Sequence, residues 1–377
     1  MNSAIGNRLR HVARRKIGKL VHNQPAIRGR LLRLENWMEE KRHSLGEVFP
    51  AVIQPRPGRL FLSLTGHCNW RCLGCRYERD FMVGQQLPKD LVRGMLEDAR
   101  DAGIYRVRLY GGEPLLHPDL PEIIADCCEL GITPFVTTNA TLLESKIDAL
   151  CDAGLRDISV GFYGLGAGLE AYTQRPGHAA RFERSIAAVR NRCGSRVSLQ
   201  MNWLLRRQTC TLEALEEAFT FAQRYGAKFQ VDLIHYSLPY FTSGPDDVLQ
   251  FRPEDREIIG RVVDELLRLK TAYPDIVAPA PPMLKSIPDW LLHGRNMKVP
   301  CTAGEILWIG PDGTVQLCYV TFKLGNLHER RLRDMLFTNA HRAAARKAFA
   351  LECPNCHCEA SDRIMRHAPS RRRYEGS

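Results

Sequence analysis

Three cysteines lie within eight residues of one another, at Cys68, Cys72 and Cys75. Three thiolates on one short loop can bind a single metal centre, but they leave one place of a four-ligand site unfilled. An iron–sulfur cube held by three cysteines keeps one iron open for an outside ligand. A zinc site usually closes with a fourth ligand, which His67 could provide. The residues alone leave iron–sulfur and zinc both open for this loop.

A second set of cysteines lies towards the C-terminus. Its members are Cys301, Cys318, Cys353, Cys356 and Cys358. Thiolates in such a set can close around an iron–sulfur cluster or a zinc ion, and the two kinds of site look alike in sequence. The chain has 13 cysteines and lacks the apolar segment of a signal peptide. We therefore expect metal ligation rather than disulfides, in a reducing, cytoplasmic compartment.

The segments that must position the first loop alternate between short apolar runs and longer stretches with helical periodicity. The pattern predicts strands at residues 60–65, 106–110, 133–137, 157–162, 196–205 and 229–235, each followed by a helix. Six such units are typical of an α/β fold with a parallel sheet and helices outside it. The chemistry of these folds lies at the carboxyl ends of the strands. The cysteine loop and residues 111–114 both fall there.

The Cys-x3-Cys-x2-Cys spacing, followed by Gly111-Gly112-Glu113-Pro114, resembles the two signatures of the radical S-adenosylmethionine (SAM) superfamily. The resemblance covers about residues 58–240 and implies a partial (β/α)6 TIM-like barrel. It implies that the three cysteines hold a [4Fe–4S] cluster and that residues 111–114 contact the methionine of SAM. Reductive cleavage of SAM would then give a 5′-deoxyadenosyl radical that abstracts a hydrogen atom from the substrate.

Further SAM contacts are implied by the same resemblance, and some positions depart from the family pattern. Asn139 resembles a residue that lines the SAM pocket, and Arg175 is a candidate partner of the SAM carboxylate or an ordinary surface charge. Gly74 stands where many members carry an aromatic residue against adenine, so Tyr77 or Trp70 would take that role. At the end of the fourth strand, Tyr163 would replace the usual polar contacts.

The C-terminal cysteines resemble the twitch module, a shortened relative of the SPASM domain, which holds an auxiliary [4Fe–4S] cluster. The resemblance implies that Cys301, Cys318, Cys353 and Cys356 are the ligands, with Cys358 or His357 as competitors for the last place. A zinc ribbon is the alternative from the residues alone. The surrounding pattern predicts a small cysteine-rich domain built of a hairpin and helices.

The sequence divides into three predicted parts: a basic amphipathic helical extension at residues 1–57, the barrel at 58–277 and the auxiliary domain with a basic tail at 278–377. The net charge of +11 belongs to the ends, because residues 1–50 contribute +7. The extension is predicted to be two helices, at residues 5–22 and after Pro25. Their apolar stripes pack on the main domain, or the basic faces contact an anionic surface. No transmembrane segment is predicted.

Candidate catalytic residues follow the fifth and sixth strands. Cys210 would return a hydrogen atom to a substrate radical, although a lone cysteine is more often a small buried residue. His235 and Tyr236 are candidate proton acceptors, although a histidine there equally fits a structural role.

These features predict a radical SAM oxidoreductase that dehydrogenates a small polar metabolite, such as a sugar, aminocyclitol or nucleoside, with the auxiliary cluster as electron acceptor. Its reductant would be a flavodoxin or ferredoxin. The alternatives are a ribosomal-peptide maturase, a radical epimerase and an RNA-modifying enzyme. The alternative that is not an enzyme is a non-catalytic zinc-binding protein.

Overall fold

The computed structural model describes residues 4–20, 24–236, 241, 249–319 and 321–376. Nine strands belong to one sheet, and their bounds are β1 Arg59–Thr65, β2 Arg106–Gly111, β3 Thr133–Thr138, β4 Asp157–Phe162, β5 Ser198–Leu205, β6 Lys228–Leu233, β7 Ile306–Ile309, β8 Thr314–Gln316 and β9 Lys323–Asn326. The order across the sheet is β6-β5-β4-β3-β2-β1-β7-β8-β9. Strands β1 to β6 pair in parallel in sequence order, and the barrel stays open. The predicted α/β partial barrel is confirmed.

Thirteen α-helices complete the described part of the chain. They are α1 Ala4–Leu20, α2 Pro25–Val48, α3 Lys89–Asp101, α4 Leu120–Glu129, α5 Leu143–Asp152, α6 Gly166–Thr173, α7 His178–Cys193, α8 Leu212–Arg224, α9 Arg256–Ala272, α10 Pro281–His293, α11 Asn339–Phe349, α12 Ala360–Arg366 and α13 Ala368–Glu375. The strands carry apolar residues towards these helices and polar residues towards the barrel interior. In β6, for example, Phe229 is buried in the core and absent from the cavity lining, while Gln230 and Asp232 line the interior.

The C-terminal segment extends the barrel sheet instead of standing apart from it. Strand β7 pairs in parallel with β1, and β8 and β9 follow in antiparallel order. The predicted β7–β8 hairpin is present, and its turn uses Gly313 at a φ of +80°, where glycine has no steric penalty. Cys301 precedes this hairpin and Cys318 follows it, whereas the other three C-terminal cysteines lie in the loop between α11 and α12.

The predicted C-terminal part begins with a proline-rich segment, and much of that segment is helical. Helix α10 begins at Pro281 and Pro282, where a missing N–H costs nothing because the first turn has no intrahelical acceptor. Two further helices, α12 and α13, form in the basic tail, and α6 forms in the glycine-containing segment that follows β4. In the described residues, no helix is both long and apolar enough to cross a membrane.

The N-terminal extension is helical, as predicted, but its apolar stripes do not pack on the main domain. Leu9 in α1 and Leu34 in α2 are both more than half exposed. The helices are attached through other positions: the Asn7 side-chain amide donates to the carbonyl oxygens of Pro57 and Ala102 at 2.8 Å each. The expectation of a packed apolar face is wrong for these helices. Residues 21 and 22 of the first predicted helix lie outside the described residues.

His43 attaches α2 to the body and is expected to make the fold sensitive to acid. It is buried, edge-on to Phe349 with 5.3 Å between ring centroids. Burial, followed by the charges of Arg42 and Arg366, lowers the pKa of His43 from 6.5 to about 3. The unfolded chain therefore takes up a proton first as pH falls, so this part of the stability is complete above pH 6.5 and is lost below it.

We expect a His43→Phe variant to lose less stability than the parent between about pH 7 and about pH 5, with a difference of roughly 1–2 kcal/mol. Thermal unfolding at the two pH values measures this. Buried His341 and His357 contribute to the acid sensitivity of both proteins, so the comparison isolates His43. Equal loss of stability in the two proteins would contradict the assignment.

Candidate active site

The three-cysteine loop follows β1 directly and opens into a cavity of about 570 Å³ inside the barrel, a volume typical of a ligand site. Cys68, Cys72 and Cys75 all line this cavity. The loop is internally braced, because the Cys75 N–H donates to the Cys72 carbonyl oxygen at 3.1 Å. The Cys68 N–H donates to a carboxylate oxygen of Glu78 at 3.1 Å. The fold thus brings the three predicted ligands to one cavity wall.

The electrostatic environment of these thiols favours their neutral form in the protein alone. Burial, followed by Glu113, raises the pKa of Cys68 to about 12. Burial, followed by the neighbouring Cys75 and Cys68, raises the pKa of Cys72 well above its usual value. Thiolates at such positions need a positive partner, and a cationic metal centre is the partner that the donor set fits.

Gly111 and Gly112 end β2 and pack directly against the cysteine loop. The Gly112 N–H donates to the Thr65 carbonyl oxygen at 2.8 Å, and the Glu113 N–H donates to the His67 carbonyl oxygen at 2.7 Å. A Cβ added to Gly112 would overlap the His67 carbonyl oxygen, and one added to Gly111 would overlap that of Thr65. Both glycines also line the cavity, so the backbone forms a cradle there that a side chain would fill.

The other two residues of this motif brace the cradle from behind. The Glu113 carboxylate accepts hydrogen bonds from the Leu115 N–H, the Thr138 hydroxyl and the Asn139 N–H at 2.7–3.0 Å. Glu113 and Pro114 are buried and lie outside the cavity lining. Burial raises the pKa of Glu113 to about 7, although its three donors favour the carboxylate. The structure therefore brings the two glycines, but not the Glu113 side chain, to the cavity.

A Gly112→Ala substitution is expected to displace the cysteine loop, because the new methyl group meets backbone rather than a flexible side chain. Overpacking of this kind costs about 1–3 kcal/mol, and here the strain falls on the segment that carries the first three cysteines. We expect a lower iron content than in the parent after identical reconstitution.

Gly84→Ala is the control for this variant. Gly84 has a positive φ, of +71°, which Gly112 does not have, but a Cβ there meets nothing within 4 Å. Backbone strain alone should leave the iron content unchanged. Equal iron content in the Gly112→Ala and Gly84→Ala proteins would argue against the cradle.

Of the other residues predicted to contact the cofactor, three line the cavity and one lies outside it. Asn139, Tyr163 and Tyr77 line the cavity. The Asn139 side chain donates to the Asn69 side-chain oxygen at 2.7 Å, and the Tyr77 hydroxyl is 3.0 Å from the Ser63 hydroxyl. Arg175 instead donates to the Asn69 carbonyl oxygen at 3.0 Å and lies outside the lining. The structure places Arg175 as a brace of the cysteine loop.

The backbone conformation at position 74 explains why glycine stands there instead of an aromatic residue. The φ of Gly74, +77°, lies in the left-handed region, which bulky side chains adopt only with strain. Trp70 and Tyr163 form an aromatic wall nearby, with their rings edge-to-face at 6.1 Å. Tyr163 in turn stacks on Tyr172 at 4.6 Å. Trp70, Tyr163 and Tyr172 all line the cavity.

Charged and amide side chains cover the barrel interior, and sequence reasoning missed them. Arg108 of β2 donates to the Thr137 hydroxyl at 2.7 Å. Asp232 of β6 lies in the same cavity, where burial raises its pKa and Arg108 opposes that rise. Other polar members of the interior are Ser159, Gln200, Asn202 and Gln230. The interior therefore suits a polar substrate that meets both a cation and a carboxylate.

The three predicted catalytic residues lie in three different places in the structure. His235 lines the cavity, and its Nδ1 is buried without a hydrogen-bond partner. Tyr236, the next residue, projects into a separate pocket beside Gly294. Cys210 is buried in the hydrophobic core behind the 3-10 turn Arg207–Thr209 and is absent from the cavity lining. The geometry therefore does not bring Cys210 or Tyr236 to the substrate space.

The C-terminal cysteines surround a second, smaller pocket. Its lining contains Cys301, Cys318, Cys353, Cys356 and Cys358. Burial raises the pKa of Cys301 to about 11, whereas a hydrogen bond from Cys358 lowers the pKa of Cys356 to about 7. Within the described residues, no three histidine, cysteine or carboxylate side chains are grouped as ligands of a single metal ion. The donor set fits a thiolate-bound centre, and five thiols are available to it.

Arg363 of α12 fixes the loop that carries the last cysteines. Its guanidinium donates to the carbonyl oxygens of Val299 and Cys356 and to the Asn355 side chain at 3.2 Å. The same group lies over the Trp290 ring at 4.9 Å. A buried arginine with these acceptors holds a loop firmly because each bond is charge-assisted.

The two pockets adjoin one another. Tyr319, Cys358 and Glu359 line both of them. His357 also lines the barrel cavity and stacks on His235, with 4.3 Å between ring centroids. Its Nε2 lies 3.2 Å from the Leu233 carbonyl oxygen. The C-terminal segment thus forms part of the lining of the cavity that also contains the first three cysteines.

Two known protein families match this chain, and each match contains one of the two cysteine groups. Residues 62–226 match the radical SAM superfamily, and residues 301–358 match SPASM, an iron–sulfur cluster-binding domain. A probable GTP 3′,8-cyclase of Methanothermobacter thermautotrophicus is 34% identical over 144 residues, which are 36% of this chain and 47% of the relative. The PqqA peptide cyclase of Methylorubrum populi is 34% identical over 120 residues, 31% of each protein. The matches thus span less than half of these relatives.

Solved structures share the fold at low sequence identity. The structure of anSMEcpe with bound AdoMet and Cp18Cys peptide has a TM-score of 0.60 and 16% identity, and covers 78% of this chain and 83% of that one. Streptococcus suis SuiB bound to its precursor peptide SuiA has a TM-score of 0.59 and 18% identity, and covers 81% and 70%.

The two matched families account for both cysteine groups and for the glycine cradle, which confirms the resemblance found in the sequence. They also identify the cofactors as SAM with a [4Fe–4S] cluster and an auxiliary iron–sulfur centre. The chain therefore belongs to the radical SAM superfamily and carries a C-terminal SPASM iron–sulfur domain.

Proposed function

We propose that this radical SAM enzyme oxidises a polar side chain of a peptide substrate, and that the C-terminal cysteines hold an auxiliary [4Fe–4S] cluster that would accept the second electron. The observation that carries the proposal is the shared cavity: its lining contains Cys68, Cys72 and Cys75 and also His357 and Cys358 of the C-terminal domain. A substrate in this cavity lies beside both cysteine groups.

The cofactors supply one-electron chemistry that removes a hydrogen atom from carbon. The side chains of the cavity then have separate roles. Arg108 and Asp232 bind and orient polar groups of the substrate. His235, whose pKa burial holds well below its usual value, accepts a hydrogen bond as a neutral imidazole at its unpartnered Nδ1. The substrate loses one hydrogen atom, one electron and one proton in total, which is a two-electron oxidation, and the neutral His235 imidazole would take the proton at Nδ1.

A peptide is favoured over a small metabolite by the proteins to which the chain is similar. Two of the structures that share the fold contain a bound peptide, and one sequence relative is a peptide cyclase. The main alternative remains a small polar metabolite such as a nucleotide. The GTP 3′,8-cyclase relatives and the guanidinium of Arg108 in the cavity favour that alternative.

The experiment uses anaerobically reconstituted protein with SAM and a reducing system of flavodoxin or dithionite. Candidate substrates are short peptides encoded beside the gene and, as the competing class, GTP and other nucleotides. We expect peptide-dependent formation of 5′-deoxyadenosine together with a mass loss of about two hydrogens from the peptide, the sign of net oxidation. A mass change in the nucleotide with none in any peptide would overturn the peptide proposal.

A further inference from the structure

Helix α1 attaches to the body through its polar side and turns its apolar side outwards. Asn7 holds the backbone of Pro57 and Ala102, and the His11 ring lies 4.9 Å from the Tyr105 ring. At 100° per residue, Ile5 and Leu9 fall on the opposite side of the helix from these two contacts. Ile5 is 71% exposed. A surface helix of a soluble protein normally has the reverse orientation.

Helix α2 shows the same arrangement along its N-terminal half. Its C-terminal half is anchored, because Arg42 pairs with Glu305 at 3.1 Å and Arg371 pairs with Glu40 at 2.7 Å. The N-terminal half carries a stripe with the spacing of a single helix face, and its exposed members are Ile27, Leu31, Leu34, Trp37 and Met38. The stripe therefore lies on the N-terminal side of these anchoring contacts.

These side chains form what we call the N-terminal apolar surface: Ile5, Leu9, Val12, Ile17, Ile27, Leu31, Leu34, Trp37 and Met38. Of the 17 large apolar side chains that are exposed in the described residues, 13 lie between residues 5 and 52. Both helices are fastened beside the start of β1, where Asn7 meets Pro57 and Glu39 pairs with Arg56 at 3.2 Å. Exposed apolar residues concentrated in this way mark an interaction site.

The charge around this surface selects its partner. Residues 1–34 contain nine lysines and arginines and no acidic residue. Apolar stripes bordered by basic residues match the boundary between acyl chains and anionic head groups, where each basic residue adds attraction. A second copy of the chain would bring like charges together, and a nucleic acid would leave the apolar stripes exposed to water.

We propose that the N-terminal apolar surface docks the enzyme on an anionic lipid bilayer. The helices lie in the plane of the interface, with Leu9, Leu34 and Trp37 inserted among the acyl chains. Basic side chains such as Arg28, Arg30 and Arg33, which are exposed beside the α2 stripe, reach the head groups. This docking is independent of the substrate of the barrel cavity.

Vesicle flotation with the full chain tests the proposal. We expect at least about tenfold stronger partitioning onto vesicles of phosphatidylcholine mixed with phosphatidylglycerol than onto phosphatidylcholine alone, and weaker binding as salt is added. A Leu9→Glu/Leu34→Glu double variant should reduce that partitioning by about tenfold or more.

Leu212→Glu is the matched control, because Leu212 is a 44% exposed leucine on α8, far along the chain from the proposed surface. It should bind vesicles like the parent. Iron content and thermal unfolding of all variants must match, so that a loss of binding is not a loss of folding. Equal partitioning of the double variant and the parent overturns the proposal.

Trp37 supplies a second measurement. It is 55% exposed, whereas the four other tryptophans, Trp70, Trp203, Trp290 and Trp308, are at most 2% exposed. Anionic vesicles should shift the emission to shorter wavelength and shield it from an aqueous quencher, and Trp37→Phe should remove this change.

Three results count against lipid docking. The first is an unchanged Trp37 signal with anionic vesicles. The second is a dimer in solution that the double variant converts to a monomer, since that would assign the surface to a second copy. The third is tight RNA binding with no vesicle binding.

Discussion

Replacement of Cys72 with alanine is expected to abolish SAM cleavage and to remove about half of the bound iron. A protein with two [4Fe–4S] clusters holds about eight irons, and loss of the SAM-binding cluster leaves about four. The one further thiol of the cavity lining, Cys358, belongs to the C-terminal cysteine group and not to this loop. Burial keeps these thiols neutral in the absence of a positive centre. Iron and sulfide analysis, together with 5′-deoxyadenosine formation, measure the two effects.

Cys210→Ala is the control for this substitution. Cys210 is also a buried cysteine at the end of a short turn, but it lies in the core and outside the cavity lining. We expect iron content and SAM cleavage close to those of the parent. If Cys72→Ala retains the full iron content, the three-cysteine loop is not the site of a cluster. If Cys210→Ala changes the reaction outcome, the thiol reaches the substrate through a conformation different from this one.

The sequence was sufficient to predict the barrel and the location of its chemistry. The predicted strand ends near Thr65, Tyr110 and Thr137 agree with the structure to within about one residue, because apolar runs stop where the chain leaves the core. Parallel strands have their carboxyl ends on the same edge, so the cysteine loop and the glycine pair had to meet. Their backbones approach so closely that a Cβ added to Gly112 would overlap the His67 carbonyl oxygen.

The sequence could not predict which polar residues share the barrel interior. Arg108 and Asp232 lie in strands that are separated by more than 100 residues and by three intervening strands in the sheet. A charged residue within a buried strand was the available signal, and Arg-Val-Arg-Leu-Tyr in β2 contains it. Which charge of β2 meets which residue of β6 depends on strand register and barrel curvature, and neither is encoded locally.

The orientation of the N-terminal helices was unpredictable for a different reason. Helical periodicity places Ile5, Leu9 and Val12 on one side of α1, but it does not say which side is covered. The decisive contacts are made by Asn7 and His11 with residues about 50 to 100 positions away. The prolines of α10 do not prevent a helix, because two of them, Pro281 and Pro282, occupy the first helical turn, where they are tolerated.

Replacement of Arg108 with methionine is expected to reduce substrate conversion by about 10- to 100-fold, because one charge-assisted hydrogen bond contributes about 1.5–3 kcal/mol. Methionine preserves much of the length of the side chain but removes the guanidinium. The substitution also removes the cation that opposes the rise in the pKa of Asp232, so that carboxyl becomes more readily protonated. The iron content should not change, since Arg108 is not among the cysteine ligands. Product formation with whichever peptide or nucleotide proves to be converted in the assay, measured across substrate concentration, separates a loss of binding from a loss of turnover.

Arg106→Met is the matched control for this prediction. Arg106 belongs to the same strand, two residues earlier, and its guanidinium lies over the Phe135 ring at 4.9 Å and near Asp157. It lies outside the lining of the cavity, so its loss should affect stability more than conversion. Arg108→Lys restores a charge without the planar fork and should recover only part of the activity, since an ammonium cannot form the same paired contacts. Equal conversion by the Arg108→Met and Arg106→Met proteins would show that the cation of the barrel interior does not bind the substrate, and the search for substrate contacts would then move to His235 and His357.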